Sequence, residues 1–159
     1  MKRHHLLVAL ALAATACTPG GISGASSGGG SGPSGGQLVK IDVSLTLYPR
    51  VSTPGGSALG YNPEVANVNV GDRIEFVNGD SFANTATLIP NQTTFPVTSP
   101  LGASATSQSG ATLSQPWSSG ALTQSGSTSQ AIAVDRPGVY LYGCFYHYDG
   151  GMRGEIVAQ

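Results

Sequence analysis

Three side chains near the C-terminus could do chemistry together. They lie in the run Cys144-Phe145-Tyr146-His147-Tyr148-Asp149-Gly150-Gly151-Met152, with Cys-x2-His-x4-Met spacing. A thiolate, an imidazole and a thioether on one short segment are the soft and borderline donors that copper selects. Each residue alone has a blander role, since a lone Cys is usually a small core residue and a lone Met fills gaps. Their joint occurrence after a strand, in a chain whose other histidines are His4 and His5 at the extreme N-terminus, points to ligation.

Such a site needs a rigid frame. Val139 to Tyr142 reads as a strand entered through the turn Asp135-Arg136-Pro137-Gly138, so Cys144 stands at a strand end and His147 returns three residues later. Gly150 and Gly151 let the loop fold tightly enough to bring Met152 to the third side. Elsewhere the apolar pattern has period two. Leu38 to Leu47 places Val39, Ile41, Val43, Leu45 and Leu47 on one face. Val65 to Asn69 continues through Val70 to a Gly71-Asp72 turn, and Arg73 to Asn78 is a strand with Ile74 and Phe76 inward. Thr85–Ile89, Ser129–Val134 and Gly154–Ala158 complete the set, while 49–63 reads as loop. About seven short strands at this spacing, without a helical period, predict an all-β sandwich or barrel. The Ser-, Thr-, Gly- and Gln-rich stretch 91–129 is too long for a structureless loop in a compact domain. It is expected to form irregular strands that partly cover the core, with Trp117 as anchor; a flap that docks a partner is the other reading.

The N-terminus sets the compartment. Lys2, Arg3, His4 and His5 precede the apolar run Leu6 to Ala16, the order of an export signal. The run is too short to span a bilayer permanently. Ala14-Thr15-Ala16-Cys17 is similar to a bacterial lipobox, so residues 1–17 are expected to be a signal with lipidation at Cys17; simple cleavage is the plainer alternative. Residues 18–36, mostly Gly and Ser, are expected to form a flexible tether with a mean span of roughly 25 Å, or a spacer with no mechanical role. The remaining 37–159 is one domain by length. Beyond Cys17 five basic residues face eight acidic ones without a basic cluster, which gives no support to nucleic-acid binding. With Cys17 lipidated, Cys144 is the sole remaining thiol, and an intrachain disulfide is excluded. The expected protein is an exported lipoprotein facing the periplasm or cell exterior, monomeric, touching the membrane only through its anchor.

The chain resembles the cupredoxins, the blue type 1 copper proteins of plastocyanin and pseudoazurin type. The likeness rests on Val68-x-Val70-Gly71-Asp72-x-Ile74-x-Phe76-x-Asn78, on the segment Asp80 to Thr87, and on Pro137-Gly138-x-Tyr140-x-Tyr142-x-Cys144-x2-His147-x4-Met152-x-Gly154. It implies a Greek-key β-sandwich with one copper that passes single electrons to a redox partner protein. Cys144 is then the strong thiolate, His147 the equatorial nitrogen near the surface, and Met152 the weak axial donor. The chain departs from the pattern at Asn84, which stands where the family carries its first His ligand. Three outcomes follow: the Asn84 amide oxygen or a water beside it fills the place; the site holds Cu(I) better than Cu(II); or the metal is lost and the fold kept. The corresponding functions are electron transfer, Cu(I) carriage or scavenging, and a metal-free binding module using the aromatics Phe145, Tyr146 and Tyr148. An enzyme is not expected, because the further coppers of multicopper oxidases need several histidines and no nucleophile–base pair is visible.

Overall fold

A computed structural model describes residues 35–159; the expected signal, Cys17 and most of the tether lie outside them. The strands are β1 (Leu38–Val43), β2 (Val51–Thr53), β3 (Gly56–Ala58), β4 (Tyr61–Asn62), β5 (Val65–Val68), β6 (Arg73–Asn78), β7 (Thr87–Ile89), β8 (Gln108–Ser109), β9 (Ser118–Ser119), β10 (Ile132–Ala133), β11 (Gly138–Gly143) and β12 (Arg153–Ala158). One sheet runs β10-β6-β1-β4 and the other β5-β12-β11-β7-β9-β8, while β2 and β3 form a separate hairpin. The chain passes repeatedly from one sheet to the other, and two pairs, β1 with β6 and β5 with β12, are parallel. This is the expected Greek-key β-sandwich. Among the described residues no helix is long and apolar enough to cross a membrane.

The period-two pattern becomes the core. Ile41, Val43, Ile74, Phe76 and Ile132 from one sheet meet Ala66, Val68, Tyr142, Ile156 and Ala158 from the other, all buried. Tyr61, Phe76 and Tyr142 pack edge to face at centroid distances of 4.8–6.3 Å, the arrangement ring quadrupoles favour. Trp117, 2% exposed, stacks on Phe76 at 5.6 Å, as the anchor expected of the 91–129 segment. Truncating a buried aromatic of this kind costs about 3–5 kcal/mol, so the segment is part of the fold and not an appendage.

Two expectations about the elements need correction. The first strand stops at Val43, four residues short of the alternating pattern, because the carboxylate of Asp80 captures the Leu45 N–H (2.8 Å) and the Ser44 hydroxyl (2.7 Å) and turns the chain. Residues 49–63 are not all loop: β2, β3 and β4 lie there. The β2–β3 hairpin is held by Glu155 of β12, whose buried carboxylate accepts from the Gly55 N–H (2.6 Å) and the Thr53 hydroxyl. Hairpin and strand together cover a second apolar cluster, Ala58, Ile89, Phe95, Leu141 and Tyr148, on the outer face of the larger sheet.

Candidate metal centre

The site forms at one end of the larger sheet. Strand β11 pairs with β12 on one side and β7 on the other, with Gly143 opposite both Arg153 and Thr87. Cys144 follows directly, buried, with its N–H donating to the Met152 carbonyl (3.1 Å). Asn84 arrives from the β6–β7 connection, and its backbone exchanges two hydrogen bonds with Leu122 (2.8 and 3.1 Å), so the 91–129 segment fixes its position.

Three donors converge. Cys144 Sγ lies 3.5 Å from His147 Nδ1 and 3.8 Å from Asn84 Oδ1, and the latter two are 3.0 Å apart. The point equidistant from these three atoms is about 2.0 Å from each, within the range of about 2.0–2.3 Å that first-row metals keep from nitrogen, oxygen and sulfur. The residues therefore fit a metal ion. Asn84 is completely buried, and both its N–H groups are committed, to Asn78 Oδ1 and Asp80 Oδ2 at 3.0 Å each. That leaves Oδ1 facing the sulfur and the imidazole, and it makes His147 Nδ1 the donor to Oδ1. A metal ion would take the place of that proton.

Met152 is fully buried in the same core cluster as Cys144, with its N–H donating to the His147 carbonyl (3.2 Å). Its thioether fills the space beside Gly60, where a Cβ would stand 2.8 Å from Met152 Cγ and 3.4 Å from Sδ. Gly60 also has φ of +80°, so glycine is required there twice over. Of the two loop glycines, only Gly151 needs its freedom, at φ of +102° with the Arg50 guanidinium occupying the Cβ position. Among the described residues no three His, Cys, Asp or Glu side chains gather to hold a metal. Any centre here must therefore draw on the amide or the thioether.

The electrostatics suit ligation by neutral imidazole and bound thiolate. Burial pushes the Cys144 thiol up, only partly offset by backbone N–H groups of Thr85, Tyr146 and His147 and by the Thr85 side chain. The thiolate thus needs a cation, and binding one releases the proton. The Thr85 N–H already points at the sulfur (3.4 Å). Burial lowers the pKa of His147, against the pull of Asp80, and keeps the ring neutral.

The loop is braced from outside. Tyr148 Oη donates to the Pro96 carbonyl (3.0 Å), the Ser99 N–H donates to Asp149 Oδ1 (2.8 Å), and Arg153 donates to the carbonyls of Tyr148 (3.3 Å) and Val97 (3.2 Å). The Arg153 guanidinium also lies 4.2 Å from the Tyr148 ring centroid. Tyr148 is therefore buried in the second cluster and is not available on the surface, contrary to expectation, because the 95–101 segment folds over it. Phe82 takes that place at the surface. Phe82 (37% exposed) stands edge-on to the half-buried His147 ring at 5.5 Å, with Tyr146 (43% exposed) on another side at 6.2 Å. Sequence reasoning missed Phe82, Asp80 and Gly60. The spacing of Asp80 and Phe82 from Asn84 was the one signal that could have drawn attention to the first two.

Residues 50–159 match the family model described as copper binding proteins, plastocyanin/azurin family. No curated protein matches the chain. Solved structures that resemble it include a purple cupredoxin from Nitrosopumilus maritimus (18% identity, 76% of this chain and 98% of that one, TM-score 0.48). A pseudoazurin from Sinorhizobium meliltoi (21%, 77% and 74%, 0.44) and the oxidised plastocyanin of Dryopteris crassirhizoma (15%, 76% and 100%, 0.42) are also similar.

Proposed function

The chain belongs to the plastocyanin/azurin family of copper-binding proteins, and from that premise we propose that it is a one-electron carrier. It would hold a single copper through Cys144, His147 and Met152, with the Asn84 amide oxygen in the place of a second imidazole. The observation that carries this reading is the triangle of Cys144 Sγ, His147 Nδ1 and Asn84 Oδ1, with sides of 3.0–3.8 Å.

Copper, when bound, accepts and returns one electron. The protein's own residues do the rest. Cys144 supplies charge to the centre and, through β11, a covalent link into the sheet. The Thr85 N–H stabilises the sulfur's negative charge. The Asn84 amide is held by Asn78 Oδ1 and Asp80 Oδ2, which would limit its rearrangement on electron transfer. His147 is the ligand nearest solvent, and its rim of Phe82 and Tyr146 gives a redox partner an apolar surface to dock on. The order of charged, apolar and small residues before Cys17 supports an exported protein, lipidated at Cys17 and anchored outside the cytoplasm.

Titrating the protein with Cu(II) tests the assignment. One equivalent should produce an intense visible thiolate-to-copper band that ascorbate bleaches and air restores. Tight Cu(I) binding without a Cu(II) chromophore would identify a carrier of Cu(I), and uptake of neither ion would sink the metal reading. Intact-mass spectrometry of the membrane fraction should find a diacylglyceryl adduct on Cys17; a soluble, unmodified product would overturn the anchor.

A further inference from the structure

We infer that Asp80 is a positioning residue for the metal centre: its buried carboxylate aims the Asn84 amide oxygen at the ion, strengthens that oxygen as a donor, and so favours Cu(II) over Cu(I). The inference rests on the reading of Cys144, His147 and Asn84 as copper-holding groups.

Asp80 is 4% exposed. Its Oδ1 accepts from Ser44 Oγ (2.7 Å) and Thr46 Oγ1 (2.8 Å), and its Oδ2 from the Leu45 N–H (2.8 Å) and Asn84 Nδ2 (3.0 Å). A carboxyl group that accepts four hydrogen bonds has no oxygen site left to carry a proton, so Asp80 is held as the carboxylate. None of these donors is a cation, and the one ion pair among the described residues joins Lys40 and Glu75. A buried anion without a protein counter-charge is costly unless a positive charge lies near. One amide away lies the point where three metal donors converge, and a Cu(II) ion with one thiolate carries a net positive charge there.

The link is the amide itself. A carboxylate accepting from Nδ2–H makes a charge-assisted bond, shifts electron density toward Oδ1, and prevents the side chain from flipping its NH2 group into the site. Asn78 Oδ1 holds the second N–H. Partners of this kind behind a ligand set its orientation and basicity.

The test compares reduction potentials in the full chain. Asp80→Asn keeps the shape and an acceptor oxygen but removes the charge. It should lower the ratio of Cu(II) to Cu(I) affinity about tenfold, given a charge roughly 7 Å from the ion at intermediate dielectric. For one electron that raises the potential by about 59 mV. Ser44→Ala removes a donor that neutralises the carboxylate and should shift the potential the opposite way. A purely structural role would loosen the site in both variants and move both alike; movement in one direction, or none, overturns the inference. Should D80N fail to fold, the direction of the S44A shift decides alone. A second readout needs no metal. In the copper-free chain one Asn84 side-chain amide proton should be shifted downfield and exchange slowly, and should move upfield in D80N and further downfield in S44A, which decides alone if D80N does not fold. An averaged, freely exchanging amide would overturn the aiming role. If the chain takes up no copper at all, the metal reading fails, and the amide measurement still judges the Asp80–Asn84 link.

Discussion

Cys144→Ala is expected to eliminate the visible copper band and to lower Cu(II) affinity by more than about 100-fold. That exceeds the 10- to 100-fold typical of losing a group behind a ligand. The size of the effect follows from burial and from the lack of a substitute. Cys144 is the one free cysteine of the described domain, fully enclosed, and the only anionic donor among the converging atoms. Alanine fills nearly the same volume, so the fold should persist, and unaltered far-ultraviolet circular dichroism would separate loss of the ligand from loss of structure. A variant that folds and keeps its absorption band would mean that the sulfur bonds no metal.

Asn84→His is expected to act in the opposite direction, intensifying the band and raising Cu(II) affinity about 10- to 100-fold, because imidazole suits copper better than an amide oxygen does. The pocket is prepared for it. Asn78 Oδ1 and Asp80 Oδ2, which now take the two amide N–H groups, are acceptors for the remote N–H of an imidazole. Such a bond would fix the tautomer that turns the other ring nitrogen toward Cys144. Cu(II) titration of the variant beside the parent protein checks this. An unchanged band in a folded variant would show that residue 84 does not face the metal.

Much of the frame was legible in the sequence because local pattern and tertiary packing agree there. β6 has the expected bounds, since Ile74 and Phe76 alternate cleanly between two turn signals. β1 was overextended because what ends it is Asp80, 35 residues away from the amide it captures. The β2–β3 hairpin was invisible because its Ser- and Gly-rich strands are secured by Glu155, about 100 residues distant. The metal donors divide in the same way. Cys144 and His147 sit three residues apart on one loop, where spacing alone brings them near. Asn84 could be found only through resemblance, since nothing local says that an asparagine in a turn will meet a cysteine 60 residues later. Tyr148 was assigned to the wrong side for a related reason. Neighbours decide whether an aromatic faces inward, and those of Tyr148 come from a segment with no readable period.

The bracing of residues 144–153 by Pro96, Val97 and Ser99 bears on the order of events in the protein's biogenesis. A small zinc domain is often unfolded until its ion arrives, because the ion supplies much of the folding free energy. Here ordinary protein contacts hold the loop that carries Cys144 and His147: a tyrosine hydroxyl, an arginine and an aspartate pin it to a neighbouring segment. The polypeptide can thus complete its folding first and be charged with its ion afterwards, in whichever compartment supplies it.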